Sequence, residues 1–520
     1  MKRRSFIQTS STLSLPFVIG GSPLKAIGKS ALSSIINGDS DRVLVLINLA
    51  GGNDGLTTMI PLDQYDNLAA VRSNVLVPEN TILEIGADNG FHPSMGNLQI
   101  IWEQEKLNIV QSVGYPNQNR SHFRSTDIWN TASAADEYLT TGWLGRWLET
   151  QAPDYPAGYP NGECPDPFAL TIGGVISETC QGTESTFSLA LVDPANPGTV
   201  NVGEGSPLPG NCYGEELGYI REVAAQTNAY ADVIVDANEK GNNLSQKYPG
   251  ADANPLAQKL KIVARLISGG LQTKVYVVQL GGFDLHSGQV EANDPVQGRQ
   301  TQLLTMLSDA ICAFQDDISQ LGVEERVLGM TYSEFGRQIR SNQSDGTDHG
   351  TAAPLFVFGS CVNPIIIGEN PEIDRQVEPQ EGVPMQYDFR SVYGSILMDW
   401  FEASEQDVKD LLFEDFQHIP IVKGCDFSTS VDSPLAQSVD VEIYPNPASN
   451  YLRIRFKSFN EKVRLSVFDA RGAEVKLLSD RRYNEGEHTL TSEVSELQSG
   501  NYFVRVVAGS RQKTVKVIKI

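Results

Sequence analysis

Aspartate and histidine occur close together at two places in the chain, Asp284 with His286 and Asp348 with His349, each time beside glycines. A carboxylate and an imidazole at this spacing suit a divalent metal ion such as zinc, manganese or magnesium. Either pair could instead form an ordinary hydrogen bond. Because the chain has only 6 histidines, the occurrence of two of them at such positions favours a metal site.

A further carboxylate, Asp54, lies in the glycine-rich segment from Ala50 to Gly55. Glycines let the backbone turn sharply and leave Asp54 close to the end of the preceding apolar run. The segment lacks the Gly-x-Gly-x-x-Gly spacing of a dinucleotide-binding loop. Asp54 is therefore a third candidate metal ligand, and a plain Asn-Asp-Gly turn is the alternative.

Ser121 is the candidate nucleophile because it lies where a helix is predicted to begin. The N-terminus of a helix stabilises a developing anion and can lower the pKa of a hydroxyl group. Arg120, Arg124 and Arg337 are candidate ligands for the oxygens of an anionic ester. The alternative is that Ser121 only caps its helix.

Apolar, β-branched runs alternate with helical patterns through the middle of the chain. This alternation predicts an α/β fold with an open, mostly parallel sheet and helices on both faces. The predicted strands are Val43–Leu49, Leu107–Val113, Lys274–Leu280, Arg326–Thr331 and Leu355–Phe358. The predicted helices are Pro93–Lys106, Ser121–Ala134, Leu256–Ser268, Gly298–Leu321 and Phe389–Phe401. Ligands of such sheets bind beyond the carboxyl ends of the strands, and the candidate residues follow strands.

Residues 41–420 resemble an exported bacterial family known as domain of unknown function 1501. The matching stretches are residues 51–56, 114–123, 127–129, 142–146, 281–286, 333–337 and 348–350. That family in turn resembles the alkaline phosphatase and sulfatase superfamily. There, a metal-binding aspartate follows the first strand, a nucleophile begins a helix, and later Asp and His residues bind one or two divalent ions.

The order of Asp54, Ser121, the Asp284 pair and the Asp348 pair is similar to that pattern. The resemblance therefore implies an alkaline-phosphatase-like scaffold and a metal-dependent hydrolase of phosphate or sulfate esters. The last histidine ligand of the superfamily has no clear match, and His418 and His92 are the nearest candidates.

This departure keeps a second hypothesis open, a non-catalytic surface protein on the same scaffold. Its recognition surface would be the Gly/Pro-rich stretch from Pro194 to Gly210, which is predicted to be a long loop.

From residue 440 onward, about seven short alternating segments predict a β-sandwich, and a polar linker at 428–439 separates it from the middle domain at 41–427. Residues 443–448, 467–472, 497–504 and 516–520 resemble the type A sorting domain of the type IX secretion system. The resemblance implies transport to the cell surface or the medium by that machinery. An adhesive or carbohydrate-binding sandwich is the alternative.

Residues 1–40 are predicted to be an export signal and leader. Arg3 and Arg4 precede Ser5, Phe6 and Ile7 in an arrangement that resembles the twin-arginine signal. The weakly apolar stretch that follows is too short to span a bilayer, and no other stretch is long enough, so the mature protein is predicted to have no transmembrane helix.

Charge is unevenly distributed along the chain, whose net charge is −24. Residues 1–40 and 440–520 each carry +4, which leaves −32 for residues 41–439. So acidic a domain is a poor nucleic-acid binder, because it repels phosphates.

The six cysteines form no Cys-x-x-Cys motif. Cys164, Cys180 and Cys212 lie in a loop-like region where an exported protein could form a disulfide, and Cys312 is predicted to be a small buried hydrophobe. The sequence does not determine the disulfide pairing.

Overall fold

The chain divides into two compact units, one that ends at Cys425 and one that begins at Asp426. The computed structural model describes residues 41–198, 212–292, 294–425, 441–458, 461–468, 474–484, 486–495, 497–508 and 511–519. The predicted export signal, the predicted linker and most of the stretch from Pro194 to Gly210 lie outside these residues. Within the described ranges, none of the helices combines the length and the apolar character that a membrane crossing requires.

A nine-stranded sheet forms the framework of the first unit, and its strands run in the order β11-β5-β10-β9-β1-β8-β6-β7, with β12 paired to β5. The described part of this unit has twelve strands, which are β1 (Val43–Ala50), β2 (Met59–Pro61), β3 (Leu83–Glu84), β4 (Asn89–Phe91), β5 (Leu107–Gly114), β6 (Ala169–Ile172), β7 (Ser188–Leu191), β8 (Val275–Gly281), β9 (Val327–Tyr332), β10 (Ala353–Phe358), β11 (Ile366–Ile367) and β12 (Tyr387–Asp388). Strands β2, β4 and β3 form a separate small antiparallel sheet. The predicted mixed α/β fold with a mostly parallel sheet is confirmed.

Strand β1 lies at the centre of the sheet, between β8 and β9, and pairs in parallel with both. Residues from Val43 to Ile47 are at most 1% exposed, so both faces of the strand are covered. A run of aliphatic residues without alternation is what such a position requires, because each side chain enters an apolar layer.

Ten α-helices accompany these strands in the described part of the first unit. They are α1 (Gly55–Thr58), α2 (Tyr65–Arg72), α3 (Gly96–Glu103), α4 (His122–Thr131), α5 (Trp143–Gln151), α6 (Cys212–Lys240), α7 (Pro255–Ser268), α8 (Arg299–Gln320), α9 (Phe389–Asp399) and α10 (Glu405–Leu411). Helix α7 shows why these segments are helical. Asn254 caps it by accepting a hydrogen bond from the Ala257 N–H, and Leu256, Leu260 and Ile267 on one face enter the main core.

Strand direction brings four loops of the first unit together at one edge of the sheet. Strands β1, β8 and β9 are parallel, and β10 runs antiparallel to both β9 and β5, so β5 points the same way as the other three. The segments that follow β1, β5, β8 and β9 therefore all begin at this edge. These are the segments that carry the candidate residues of the sequence analysis.

One disulfide joins Cys361 to Cys425, with a Cα–Cα distance of 4.9 Å. Cys164 and Cys180 are free, so the disulfide lies elsewhere than in the loop-like region that the sequence suggested. Cys312 is free and 2% exposed within α8. Its burial as a small apolar side chain agrees with the expectation from its helical setting.

The described residues of the second unit form two antiparallel sheets, β13-β14-β17 and β16-β15-β18-β19. The strands are β13 (Val441–Tyr444), β14 (Tyr451–Ser458), β15 (Glu461–Phe468), β16 (Glu474–Tyr483), β17 (Gly486–Glu493), β18 (Gly500–Ala508) and β19 (Arg511–Lys519). Side chains of β14 alternate between exposed and buried, and the buried ones share one apolar core with residues of the four-stranded sheet, such as Leu465 and Val504. This is the expected sandwich of about seven short strands.

Candidate metal centre

Three histidine rings and one carboxylate meet where the loops after β5, β8 and β9 converge. Asp284 Oδ1 lies 3.1 Å from His286 Nε2 and 3.2 Å from His349 Nε2, and Asp284 Oδ2 lies 3.4 Å from His122 Nε2. The ring centroids of His122 and His349 are 4.4 Å apart. Ligand atoms of His122, Asp284 and His349 all lie within 4.8 Å of one another, close enough to hold one metal ion.

The other ring nitrogen of each histidine faces an oxygen that can only accept a hydrogen bond. His122 Nδ1 lies 2.9 Å from Glu334 Oε1, His286 Nδ1 lies 2.6 Å from Asp348 Oδ1, and His349 Nδ1 lies 2.7 Å from the carbonyl oxygen of Arg120. Each Nδ1 must therefore carry the hydrogen, which leaves each Nε2 of a neutral ring with a free lone pair. This second shell of oxygen acceptors is typical of histidines that bind metals through Nε2.

Within the cluster, His122 Nε2 has Asp284 Oδ2 as its neighbour, at 3.4 Å. This nitrogen is shielded from solvent and makes no hydrogen bond. A buried polar atom without a hydrogen bond is costly, so it requires an explanation. A cation among the three Nε2 atoms and Asp284 would supply one, and the residues present therefore fit a divalent metal ion.

Arg337 fixes the loops that carry the cluster. Its side chain is only 1% exposed, and its nitrogens donate to the carbonyl oxygens of Gly51, Gly52, Phe283 and Thr347 and to Asp284 Oδ1. The segments after β1, β8 and β9 are thus tied to one guanidinium group. Arg337 therefore differs from the sequence expectation, because its hydrogen atoms are used within the protein and do not face an open site.

Gly51 is required by the close approach of two of these loops. Its φ angle is +121°, and a Cβ atom at this position would lie 2.3 Å from the backbone nitrogen of Asp284. Any side chain would therefore displace Asp284.

Electrostatics keep Asp284 ionised. Desolvation, the largest contribution, raises its pKa, but the hydrogen bond and the positive charge of Arg337 outweigh it, with further contributions from His349 and His122 when their Nε2 atoms carry a proton, and the pKa is lowered to about 2. The pKa of His349 is also lowered, chiefly by burial. A neutral imidazole beside an ionised carboxylate is the state that binds a metal.

The candidate groups of the helix-start segment are separated in the structure. Ser121 is exposed at the N-terminus of α4, and its hydroxyl makes no capping hydrogen bond. Arg120 donates to the carbonyl oxygen of Gln380 at 2.6 Å. Arg124 turns to the other end of α4, where it pairs with Asp127 and bonds the carbonyl oxygens of residues 134, 135 and 137. Arg124 therefore holds the end of α4, unlike Arg120, which stays near the cluster.

Asp54 belongs to a separate buried group. It is 2% exposed and pairs with Arg72, a residue of α2 with an exposure of 0%. Gln289 Nε2 also donates to Asp54 Oδ2 at 2.6 Å. The hydrogen bonds of Asp54 thus lead away from Asp284 and its histidines.

Neither alternative histidine lies at the cluster. His418 pairs with Asp399 at 2.9 Å on the surface. His92 is 1% exposed and its Nδ1 accepts a hydrogen bond from the Ser94 N–H at 3.2 Å. His122 is the third histidine of the cluster.

His122 and Glu334 are the two residues that sequence reasoning did not assign. A signal was present, because His122 follows a predicted strand as His286 and His349 do, and the chain has only 6 histidines. Glu334 also follows a strand, but its 5% exposure and its bonds to His122 and to the Gly51 N–H depend on the tertiary fold.

A polar cleft of about 540 Å³ opens beside the centre. Its lining comprises Arg120, His286, Gln338, Arg340, Ser341, Asp348, His349, Pro379 and Gln380. Two of the three imidazoles, those of His286 and His349, form part of its wall. A ligand in the cleft would therefore reach the cluster.

Comparison with known families gives two matches in different parts of the chain. Residues 220–386 match a family described as protein of unknown function (DUF1501), and this range includes Asp284, His286, Asp348 and His349. Residues 442–520 match the secretion system C-terminal sorting domain. The second unit thus carries a sorting domain. Both resemblances predicted from sequence are confirmed, and the sorting domain indicates export toward the cell surface or the extracellular space.

Solved structures similar to the chain include members of the alkaline phosphatase superfamily. A member of that superfamily from Vibrio parahaemolyticus is 10% identical, with a TM-score of 0.31, and the match covers 94% of this chain and 84% of that one. A phosphonate monoester hydrolase from Silicibacter pomeroyi is 11% identical, with a TM-score of 0.30 and coverage of 92% and 89%.

A third structure, from work on the metabolism of glycosaminoglycans by Bacteroides thetaiotaomicron, is 9% identical, with a TM-score of 0.34 and coverage of 84% and 89%. No curated protein matches the chain.

Proposed function

We propose that this exported protein is a metal-dependent hydrolase of phosphate or sulfate esters. The observation that supports this most directly is the convergence of three Nε2 atoms on Asp284, with every Nδ1 held by an oxygen acceptor. In this proposal Asp284, His122 and His349 are the metal ligands and His286 adds a fourth. Asp348 orients His286, as Glu334 orients His122.

The proposed centre holds one divalent ion. A donor set with three imidazoles suits zinc better than magnesium or manganese, which prefer oxygen ligands. Asp54 is left out, because the buried guanidinium group of Arg72 already supplies the positive charge beside it. When bound, the ion would polarise the ester and stabilise charge on its oxygens.

The chain's own residues supply the remaining roles. The exposed hydroxyl of Ser121, at the N-terminus of α4, is the proposed nucleophile. Arg120 lies in the wall of the cleft and is placed to bind the non-bridging oxygens. Arg337 keeps the three loops in register, and Arg124 has only a structural role.

Hydrolysis of aryl phosphates and aryl sulfates with added zinc, manganese or magnesium tests this proposal. We expect Asp284→Asn and Ser121→Ala to abolish turnover. Asp374→Asn and Ser344→Ala are matched controls, since both residues are exposed and outside the cluster, and both variants should retain activity. Activity that survives Asp284→Asn unchanged would overturn the proposed centre. If activity is lost in Asp284→Asn but kept in Ser121→Ala, only the assignment of Ser121 as the nucleophile is wrong.

A non-catalytic binding protein on the same scaffold is the second candidate. One observation favours it: among the described residues, no hydrogen bond joins the Ser121 hydroxyl to the three imidazoles. This candidate is supported if the protein binds one metal ion and a ligand but hydrolyses neither aryl phosphates nor aryl sulfates.

We also propose that transport uses two systems in succession. Arg3 and Arg4 would direct the folded chain through the twin-arginine machinery into the periplasm, and the sorting domain would direct it onward through type IX secretion. Replacing both arginines with lysine should retain the protein in the cytoplasm. If the doubly substituted protein still reaches the medium, the twin-arginine step is wrong.

A further inference from the structure

The polar cleft beside the metal centre contains two arginines without a carboxylate partner. Arg120 and Arg340 both line it, and in the described structure their hydrogen bonds go to backbone carbonyl oxygens, those of Gln380 and Val377. The contact of Arg340 is long, at 3.4 Å, and the side chain is exposed. Its guanidinium group is therefore largely available to a ligand.

Some arginines of this domain pair with carboxylates, whereas others, such as Arg146, Arg265 and Arg375, bond backbone or amide oxygens. Six arginines, at positions 42, 72, 124, 326, 337 and 390, each pair with an aspartate or glutamate. Residues 41–439 carry a net charge of −32, so carboxylates are abundant. Two arginines that face the same cleft without one create a local positive potential in an acidic protein, which favours an anion.

Among the described residues that line the cleft, Asp348 is the only carboxylate. Its Oδ1 atom lies 2.6 Å from His286 Nδ1 and 3.3 Å from Asn342 Nδ2. Asp348 is thus engaged by the cluster, and its charge is partly offset there. The positive charge of the two arginines remains.

The rest of the lining consists mainly of neutral hydrogen-bonding groups. Gln338, Ser341 and Gln380 present amide and hydroxyl groups, which can both donate to and accept from ligand hydroxyls. The volume of about 540 Å³ is typical of a pocket for a whole small ligand and exceeds the need of a single sulfate or phosphate group. The cleft therefore suits a larger ligand that has both hydroxyls and anionic groups.

We propose that the cleft binds an anionic carbohydrate, in which one ester group reaches the metal centre and a second anionic group is held by Arg340. The inference rests on the proposed function for the first group only, because binding of the second needs no turnover. Sulfate and phosphate groups share the chemistry that a guanidinium group recognises. Arg340 is then a residue that determines specificity, and it selects esters with more than one anionic group.

Binding measured by calorimetry on the full chain tests this proposal. The probes are a sulfated dextran oligosaccharide, the unmodified oligosaccharide of the same length, fructose 1,6-bisphosphate and tripolyphosphate. We expect the sulfated oligosaccharide and fructose 1,6-bisphosphate to bind. The probe that binds more tightly shows whether the cleft prefers sulfate or phosphate groups. We expect Arg340→Gln to weaken that binding by about tenfold. Arg375→Gln is the matched control, since Arg375 is exposed and bonds Asn67 away from the cleft.

Each contrary result has a distinct meaning. Unchanged binding by Arg340→Gln, or no binding of either anionic carbohydrate, would overturn the inference. If tripolyphosphate binds as tightly as the anionic carbohydrates, the carbohydrate part of the inference is wrong, and the cleft is a site for polyanions in general. If binding and its dependence on Arg340 are found without hydrolysis of any ester, the inference stands and the proposed function fails.

Discussion

The Nε2 atoms of His286 and His349 lie 2.9 Å apart, although these rings belong to loops that follow different strands. Since each ring donates its Nδ1 hydrogen to an oxygen, two neutral rings would direct lone pairs at each other. A cation between them, whether a proton or a metal ion, removes that repulsion. Asp284 beside both rings supplies negative charge, and His122 supplies a third nitrogen, so a metal ion fits better than a single proton.

Metal content is the first prediction. The full chain, purified and dialysed, should retain about one divalent ion, and His349→Ala should lose it because the variant removes one of the ligand nitrogens. Elemental analysis by mass spectrometry measures both. His418→Ala is the control, since His418 is a surface residue paired with Asp399. Equal metal content in His349→Ala and the unsubstituted chain would exclude the proposed centre.

Glu334 provides the second prediction, which concerns orientation of a ligand. Its carboxylate is 5% exposed and accepts hydrogen bonds from His122 Nδ1 and the Gly51 N–H. Loss of such a partner weakens metal affinity by about 10–100-fold, so Glu334→Ala should raise the Kd for zinc by that factor. Competition with a chromogenic chelator measures the Kd.

A control for Glu334 is available in Glu324, which is partly buried and paired with Lys106. Glu324→Ala removes a paired carboxylate that is less buried, with 25% of its side chain exposed, and does not touch the histidines. An equal loss of zinc affinity in both variants would mean that Glu334 acts through general stability rather than through His122.

Arg337 provides the third prediction, which concerns the free energy of unfolding. Arg337→Met would leave buried carbonyl oxygens of Gly52, Phe283 and Thr347 without their donor. Each such loss costs about 1–3 kcal/mol, so a decrease of about 3 kcal/mol or more is expected. All 5 tryptophans lie between residues 102 and 400, so tryptophan fluorescence during urea unfolding reports the first unit alone. Arg375→Met, at an exposed position, should change the value by less than about 0.5 kcal/mol.

Sequence patterns correctly predicted the central strands and the polar residues that follow them, because both features leave a local pattern in the sequence. The run from Val43 to Leu49 is apolar throughout because the strand is buried on both faces, and the strand observed is Val43–Ala50. Asp284 and His286 are close in sequence and both lie just beyond the next strand of the sheet. Such local patterns carry enough information to place a residue at the edge of a sheet.

The partners of the candidate residues could not be predicted in this way. Asp54 and Arg72 are separated by 18 positions, and only the tertiary fold brings the guanidinium group to the carboxylate. Arg337 likewise resembles any exposed arginine after a strand until three loops close over it. Charge alone did not reveal that Arg337 and Arg124 make their hydrogen bonds within the protein, whereas Arg120 borders the cleft.

His92 provides the last prediction, which concerns pH. Burial lowers its pKa from 6.5 to about 4, and the negative charge of Asp54 opposes this effect only partly. Between these two values the unfolded chain binds a proton at His92 that the folded chain does not bind, so stability falls as the pH decreases from 6.5 to 4. The full loss is about 3 kcal/mol.

Substitution of His92 with Asn should remove this part of the pH dependence, because an amide oxygen can still accept the Ser94 N–H but does not titrate in this range. Urea unfolding followed by tryptophan fluorescence at about pH 7 and at about pH 4.5 gives the two free energies that are compared. His418→Asn, at the surface, should leave the difference between them as it is in the unsubstituted chain. If His92→Asn shows the same difference as the unsubstituted chain, then His92 is not the group that resists protonation, and the acid sensitivity of the first unit arises elsewhere.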